Sequence, residues 1–353
     1  MKEVEEILNK EIRDNKTPGV NYLVFNRDKL IYNFKGGFAD VENNIKINDL
    51  TTFNAYSITK TFTALAVLQL AEKNELNIKD PAIKYLPEFP YQGEITIQQL
   101  LAHTAGIPNP VPLSWIHLTE DHQTFDRNKF FEKVMSKNNH VKTHPNEKFS
   151  YSNLGYVLLG QLIEKVSGMK YEDYIRKNIL LPLNIEKSEL DFTINNPGDH
   201  AKGYHKNYSL SYLILGLFID KTKYMGNTEG KWISFKNNYV NGVSYGGLIG
   251  TANAFVKYIQ ELLKTDCRLI SKEYKSFLFT ENHTNNNKPT GMCLSWYCGQ
   301  LNGEKYFTHA GGGGGYYCEI RIYPGKESGS VIMFNRTGMK DERFLDKPDS
   351  CFL

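Results

Sequence analysis

The sequence predicts an α/β protein of the α+β type, in which helices flank one antiparallel sheet built from both chain termini. Near the N-terminus, two strand-like stretches, 20–25 and 30–34, are joined by four polar residues in a hairpin pattern. Four more strands are predicted near the C-terminus, over 292–297, 305–308, 316–323 and 330–334. The simplest packing joins the two ends in one sheet and leaves a large, mostly helical insertion between them.

Most predicted helices lie between the two groups of strands, and one precedes the first group. They cover 2–14, 58–73, 96–102, 154–166, 171–179 and 252–263. The helix over 58–73 is apolar on nearly every face, which indicates a buried central helix. We therefore expect a sheet subdomain (1–56 plus 245–353) and a mostly helical subdomain (57–244), with a cleft where they meet.

Composition excludes several classes of function. The chain has 353 residues, 41% of them hydrophobic, and a net charge of only +3, so neither nucleic acid nor an anionic membrane is an expected partner. Five cysteines without a Cys-x-x-Cys pair, and histidines without metal spacing, indicate neither a disulfide framework nor a metal site.

The N-terminus has no apolar segment typical of a signal peptide, so a cytoplasmic protein is expected, with an exported protein whose leader was removed as the alternative. The most apolar run, 212–219, is too short to form a transmembrane segment. This run is either a wall or lid of the cleft or a core helix of the insertion.

Ser57 and Lys60 are the first candidate site residues. They lie three positions apart at the start of the central helix, so they share one helix face. A hydroxyl and an amine side by side can act as nucleophile and base. The alternative is a helix cap followed by a solvated lysine. The same spacing recurs at Ser167 and Lys170, where Gly168 ends a predicted helix.

Tyr151 and Asn153 form a second candidate pair, in the loop before the 154–166 helix. Residues two apart in an extended loop point the same way. A phenol near an ammonium group is expected to have a lowered pKa and to relay protons, and an amide can bind both a lysine and a substrate carbonyl. Alternatively, Asn153 caps the next helix and Tyr151 is a half-buried aromatic residue.

A third candidate, His309-Ala310-Gly311-Gly312, lies at the end of a predicted strand. Glycines there would let a ligand approach the backbone closely. The alternative is a hairpin with an incidental histidine. The glycine run 311–315 is no phosphate loop, because no Lys-Ser or Lys-Thr follows it.

Taken in this order, Ser-x-x-Lys, Tyr-x-Asn and His-x-Gly resemble the motifs of the serine β-lactamase and penicillin-binding-protein family. The chain is most similar to its class C-like branch, which includes D-alanyl-D-alanine carboxypeptidases, esterases and D-amino-acid peptidases. Residues 100–108 and 246–254 also resemble family segments. The resemblance covers nearly the whole chain and implies a β-lactamase/transpeptidase-like fold, with 1–353 as a single catalytic unit.

The resemblance also implies roles. Ser57 would be the acylated nucleophile, Lys60 would take its proton, Tyr151 would pass a proton to the leaving group, and Asn153 would position Lys60 and the substrate. Backbone N–H groups of Ser57 and Gly312 would form the oxyanion hole.

Three features depart from the family pattern. His309 stands where many members have lysine, and Ala310 replaces a hydroxyl residue before the substrate-binding glycines Gly311 and Gly312. The C-terminal residues 341–348 are short and polar, whereas members usually end in a helix, so that helix is expected to be missing or weak.

The function implied is a serine hydrolase that acts through an acyl-enzyme on an ester or amide, with a small-molecule or peptide substrate and no cofactor. The alternatives are a D-alanyl-D-alanine carboxypeptidase or penicillin-binding protein, and a catalytically idle binding protein on the same fold. Nothing in the sequence indicates the oligomeric state.

Overall fold

Both ends of the chain contribute strands to one antiparallel sheet, as predicted. The structure, a computed structural model, describes residues 1–337 and 343–353. The strands are β1 (Gly19–Asn26), β2 (Leu30–Asp40), β3 (Ile45–Lys46), β4 (Thr52–Asn54), β5 (Ile116–Leu118), β6 (Leu190–Asp191), β7 (Tyr204–Lys206), β8 (Met225–Glu229), β9 (Trp232–Phe235), β10 (Asn238–Val240), β11 (Ile249–Thr251), β12 (Tyr297–Leu301), β13 (Glu304–Gly313), β14 (Tyr316–Tyr323) and β15 (Ser328–Phe334).

The large sheet has seven strands in the order β12-β13-β14-β15-β1-β2-β3. Strand β1 lies between β15 and β2 and pairs antiparallel with both, so it joins the two ends of the chain. Smaller sheets, β10-β5, β4-β11-β6 and β7-β9-β8, lie outside it. The α+β fold with a sheet built from both termini is confirmed, whereas the division into two subdomains stays a prediction.

Helices cover both faces of the sheet and most of the insertion. They are α1 (Lys2–Arg13), α2 (Thr59–Glu72), α3 (Ile97–Leu101), α4 (Arg127–Ser136), α5 (Asn153–Ser167), α6 (Tyr171–Ile175), α7 (Leu210–Leu215), α8 (Lys221–Tyr224), α9 (Val243–Gly246), α10 (Ala252–Leu263), α11 (Lys272–Leu278) and α12 (Asp346–Asp349). Within the described ranges, no helix combines the length and the apolar character that crossing a bilayer requires.

Helix α2 is the buried centre of the molecule. Every residue from Thr59 to Ala71 is buried, because the helix has no polar face to present to water. Its Phe62 ring stacks on Tyr258 of α10 with centroids 4.0 Å apart, and the Thr63 hydroxyl donates to the Ser244 carbonyl oxygen at 2.6 Å. Helix α2 therefore holds its first turn rigidly against the sheet and the insertion.

Several helix ends follow their predicted signals. Thr96 and Gln99 form a capping box at the start of α3, and the Thr251 hydroxyl caps α10. Helix α5 ends at Gly168, which has a left-handed φ of +67°. The second Ser-x-x-Lys spacing is thus part of a helix end.

One predicted strand, 292–297, is wrong. Strand β12 begins only at Tyr297. The residues before it form a turn in which Cys293 N–H donates to the Trp296 carbonyl oxygen at 2.7 Å and Ser295 has a φ of +70°. The apolar side chains are there because Trp296 is fully buried. The run is apolar because its side chains pack in the core. A sequence pattern does not distinguish such a run from a buried strand.

The C-terminal residues are held by a buried polar network. A missing or weak C-terminal helix was predicted over 341–348, of which 341 and 342 lie outside the described residues. After these residues, the short helix α12 carries Asp349. The Asp349 carboxylate accepts hydrogen bonds from Tyr22, Tyr323 and Ser330 at 2.7–2.8 Å. Arg321 is fully buried and donates to Glu319 at 2.8 Å. The final helix is short, but buried contacts anchor it to the sheet.

We expect Arg321→Met to destabilise the protein by about 3–5 kcal/mol, because it leaves the buried Glu319 carboxylate without its cationic partner. Urea unfolding followed by circular dichroism measures this. The matched control is Lys326→Met, which removes an exposed ion pair with Glu304 and should cost at most about 1 kcal/mol. Equal effects of the two substitutions would contradict the assignment.

Candidate active site

Ser57 lies in a 3-10 turn, Tyr56–Ile58, that leads directly into α2. Tyr56 before it has a φ of +45°, an uncommon conformation for a bulky residue, which costs about 1–3 kcal/mol. The Tyr56 hydroxyl donates to the Gly314 carbonyl oxygen at 2.8 Å and fixes the turn. The strained turn places Ser57 just before the helix, beside strand β13.

Lys60 points from the first turn of α2 into a small polar cluster. Its Nζ lies 3.0 Å from Ser57 Oγ, 2.8 Å from Asn153 Oδ1 and 2.8 Å from the Tyr245 carbonyl oxygen. The side chain is fully buried. The structure thus brings the predicted pair together and adds a carbonyl from α9 that the sequence did not indicate.

The environment of Lys60 disfavours its charge. Burial lowers the pKa of Lys60 well below its usual value of 10.5. Among the described residues, no carboxylate forms an ion pair with it. The faces of Tyr151, Tyr156 and Tyr245 lie 5.0–5.5 Å from Nζ and only partly offset this loss of hydration. The structure therefore favours a neutral amine next to Ser57.

Tyr151 lies on the other side of Ser57. Its hydroxyl donates to Ser57 Oγ at 2.9 Å. The prediction of a lowered phenol pKa is wrong: burial raises the pKa of Tyr151 well above 10. Desolvation outweighs any effect of a neighbouring ammonium group, because Lys60 itself is driven toward its neutral form. Tyr151 thus stays a protonated hydrogen-bond donor at neutral pH.

Asn153 is oriented by a residue that the sequence analysis did not single out. Ser152 caps α5 by accepting from Gly155 N–H at 3.1 Å, so Asn153 does not act as the cap. The Oδ1 of Asn109 accepts from both the side-chain and backbone N–H of Asn153, at 3.1 and 3.0 Å. This leaves Asn153 Oδ1 aimed at Lys60. Asn109 follows directly after the family-like segment 100–108, which was the available signal.

His103 supports Tyr151 from behind. The His103 ring lies 4.3 Å from the Tyr151 ring, and its Nδ1 accepts from Ser152 N–H at 3.1 Å. Burial lowers the pKa of His103 well below 6.5. A neutral His103 with a φ of +56° holds the loop 149–153 in place.

The third motif lies on β13, next to Ser57. His309 is fully buried, and its Nδ1 hydrogen-bonds to the Ser295 carbonyl oxygen. Burial lowers the pKa of His309 to about 3. His309 is therefore neutral at pH 7 and does not reproduce the charge of a lysine.

The glycines of β13 permit a close approach to Ser57. A Cβ on Gly311 would lie 2.1 Å from the Ala55 carbonyl oxygen, and one on Gly313 would lie 2.5 Å from the Tyr56 ring. Neither position accepts a larger residue without displacement. Gly312 has no such contact and faces the cavity that Ser57 lines. The first three glycines of the run 311–315 thus belong to a strand, since β13 continues to Gly313.

Two cavities meet near Ser57. The first, about 210 Å³, contains Ser57 and has apolar walls from Pro112, Leu113, Trp115, Ile116, Leu215, Ile219, Phe235 and Val240. The second, about 570 Å³, is lined by β13 residues 308–313, with Tyr151, Tyr297 and Arg343 among its other walls. Arg343 is the charged side chain in its described lining. One side of Ser57 is thus apolar, and the other is polar with a cationic group.

The apolar run 212–219 contributes to the first cavity. Leu215 and Ile219 line it and also pack with Met225, Ile233 and Phe235 in a small apolar cluster. The run therefore forms a wall of the cleft and also packs in an apolar cluster of the insertion, so each of the two alternatives is correct in part.

Comparison with known proteins identifies relatives along the whole chain. The family model described as Beta-lactamase matches residues 4–349. The sequence is 30% identical over 294 residues to penicillin-binding protein 4* of Bacillus subtilis (strain 168), which covers 81% of this chain and 61% of that protein. It is 32% identical over 250 residues to the protein flp of Staphylococcus aureus (strain N315), covering 67% and 49%.

The fold is also similar to solved structures. An octameric penicillin-binding protein homologue from Pyrococcus abyssi superimposes with a TM-score of 0.76 at 26% identity, covering 94% of this chain and 72% of that one. The chain spans only about half to three fifths of the length of the curated relatives. The family match extends through the Ser57, Tyr151 and His309 motifs, and the chain belongs to the Beta-lactamase family.

Proposed function

We propose that the protein is a serine hydrolase that cleaves an ester or amide through an acyl-enzyme on Ser57. The observation that carries the proposal is the buried Lys60, whose pKa is lowered and whose Nζ lies 3.0 Å from Ser57 Oγ. A neutral amine has two N–H groups and one lone pair. The carbonyl oxygens of Asn153 and Tyr245 accept the two N–H groups, so the lone pair is left for the Ser57 hydroxyl proton.

The proposed proton path is as follows. Ser57 Oγ attacks the substrate carbonyl carbon as its proton passes to Lys60 Nζ. Tyr151, which donates to Ser57 Oγ, gives its proton to the leaving alkoxide or amine when the carbon–leaving-group bond breaks. The Lys60 ammonium then returns a proton to Tyr151. Water releases the acyl group by the reverse sequence, so the enzyme regains its starting protonation.

Backbone donors complete the proposed chemistry. The N–H groups of Ser57 and Gly312 are assigned to the oxyanion hole, and both residues line the apolar cavity. The close approach that Gly311 allows, with its Cβ position 2.9 Å from Ser57 N, supports this assignment. Losing one oxyanion donor typically costs about 2.7–4 kcal/mol in other hydrolases, so the backbone position matters as much as the side chains.

The test is mass spectrometry after incubation with a fluorophosphonate and, separately, with a penicillin. We expect a single adduct on the peptide that contains Ser57. The same experiment separates the proposal from a catalytically idle binding protein, which would take up neither probe. A panel of nitrocefin, p-nitrophenyl butyrate and a D-Ala-D-Ala peptide then distinguishes lactamase, esterase and carboxypeptidase activity.

The apolar cavity predicts a preference for apolar acyl groups. We expect kcat/KM for p-nitrophenyl butyrate to exceed that for the acetate about tenfold, since two buried methylenes contribute about 0.8 kcal/mol each. Leu215→Asp should remove this preference. The control is Leu213→Asp on the same helix, where the side chain is 67% exposed. Equal butyrate-to-acetate ratios in the two variants would contradict the assignment.

Ala310 predicts weak turnover of penicillins relative to small uncharged esters. The missing hydroxyl would have bound the penicillin carboxylate, and a hydrogen bond to a charged group is worth about 1.5–3 kcal/mol. We expect Ala310→Thr to accelerate penicillin acylation about tenfold without helping neutral esters. Because Arg343 lines the same cavity, Arg343→Gln is the companion variant. Fast wild-type penicillin hydrolysis that Arg343→Gln abolishes would overturn the prediction.

A further inference from the structure

Helix α7 and the turn after it carry apolar residues on two opposite faces. The inward face, with Leu215 and Ile219, packs in the apolar cluster beside the apolar cavity that contains Ser57. The outward face is exposed to solvent: Leu210 is 74% exposed, Leu213 67% and Leu217 82%. A helix that is apolar all round is normally covered on all sides. Here one side has no cover within the described residues.

The exposed residues form one continuous face. Leu210, Leu213, Ile214 and Leu217 follow the i, i+3, i+4, i+7 spacing of a helix, and the hydrogen bond from Leu217 N–H to the Ile214 carbonyl oxygen continues the turn. With Tyr208 and Phe218, six of the sixteen exposed large hydrophobic residues described lie within 208–218. Scattered apolar residues are ordinary on surfaces, but such a concentration marks an interaction site. We call residues 208–218 the outer apolar face.

Three lysines lie in or next to the outer apolar face. Residues 202–236 contain six lysines, of which Lys202 and Lys223 form ion pairs with carboxylates. Lys206 is two positions from Tyr208, and the Lys231 carbonyl oxygen accepts from Asn207 N–H at 2.9 Å. Lys221 Nζ lies 4.3 Å from the Tyr212 ring. Within the described residues, none of these three lysines forms an ion pair.

We propose that the outer apolar face docks onto the surface of an anionic lipid bilayer. Leucine and aromatic side chains flanked by lysines are the combination that binds at the boundary between headgroups and acyl chains. A second copy of the chain is a poorer occupant, because a two-fold contact would bring together two sets of lysines that form no ion pair within the described residues. The other face of the same helix is a wall of the apolar cavity that contains Ser57. Docking in this orientation therefore places that cavity next to the membrane.

Cosedimentation with vesicles tests the proposal without using enzyme activity. Wild-type protein should bind vesicles made of equal parts phosphatidylglycerol and phosphatidylcholine, and binding should weaken with added salt or pure phosphatidylcholine. The double variant Leu213→Ser with Leu217→Ser should bind about tenfold or more weakly. Lys206→Gln with Lys231→Gln should bind about tenfold more weakly at low salt. The matched control, Leu50→Ser with Leu181→Ser, alters two leucines of similar exposure elsewhere and should bind normally.

Three results would overturn the proposal. The first is wild-type protein that does not bind phosphatidylglycerol vesicles. The second is binding that the Leu213 and Leu217 substitutions leave unchanged. The third is a stable dimer in sedimentation velocity that the same double variant dissociates, which would assign the outer apolar face to a second copy. Circular dichroism of each variant confirms that reduced binding does not come from unfolding.

Discussion

Ser57→Ala is expected to lower kcat by on the order of a millionfold, to the background rate. Removal of the nucleophile leaves Lys60 and Tyr151 without the oxygen that both contact, at 3.0 and 2.9 Å. Groups that act as a unit in serine hydrolases lose nearly all catalysis when one is removed. The measurement is p-nitrophenyl butyrate hydrolysis at equal protein concentrations, with the active sites of the wild-type protein counted by fluorophosphonate labelling.

The chain offers an internal control for this variant. Ser167 and Lys170 repeat the Ser-x-x-Lys spacing, but the Ser167 hydroxyl donates to the Ile163 carbonyl oxygen at a helix end. Ser167→Ala should therefore keep full activity. If Ser57→Ala retained more than a few per cent of wild-type activity, another nucleophile would have to carry the reaction and the assignment of Ser57 would fail.

The resemblance of the three ordered motifs to a family pattern predicted which side chains meet, whereas no single spacing was enough. Ser57 and Lys60 share a helix face by geometry alone, and the order of the three motifs pointed to a fold in which Tyr151 and Asn153 contact them. Asn109 could not be found in this way. Its role is to fix which end of the Asn153 amide faces Lys60, and amide orientation depends on a contact between residues 44 positions apart.

Electrostatic behaviour was harder to predict than position. The sequence indicates a charged group near Tyr151 but not how deeply the phenol is buried, and this led to the prediction of a lowered pKa. Burial raises the pKa of Tyr151 instead. A net charge of +3 likewise gave no reason to propose an anionic membrane as a partner, because a whole-chain sum does not show where lysines lie without a carboxylate partner, as Lys206 and Lys221 do within the described residues.

The strand prediction was wrong where apolar side chains pack in the core without forming a strand. Residues 292–296 bury Trp296 in a turn, whereas the prediction assigned them to a strand. In contrast, β13 is longer than the predicted strand 305–308, because glycines rarely indicate that a strand continues. There the glycines let the strand pass within contact of the Ser57 backbone. Glycine in a strand often marks such an approach.

Lys60→Arg is expected to reduce kcat/KM by about a thousandfold or more. A base must have a free lone pair, and a guanidinium group stays protonated at any pH that enzymes tolerate. Arginine is also larger than the fully buried lysine that it replaces, so circular dichroism must show that the variant is folded. Lys170→Arg, at the exposed copy of the spacing, should have no effect.

The pH dependence of the wild-type enzyme tests the same assignment without a variant. Burial lowers the pKa of Lys60, so the neutral, active form predominates above the lowered value and is lost as the pH falls through it. The kcat/KM should therefore rise with pH along a limb well below 10.5 and reach a plateau. This limb should persist in His103→Gln, because His103 only supports Tyr151. A limb that disappears in His103→Gln would assign the titrating group to the histidine and remove the case for Lys60 as the base.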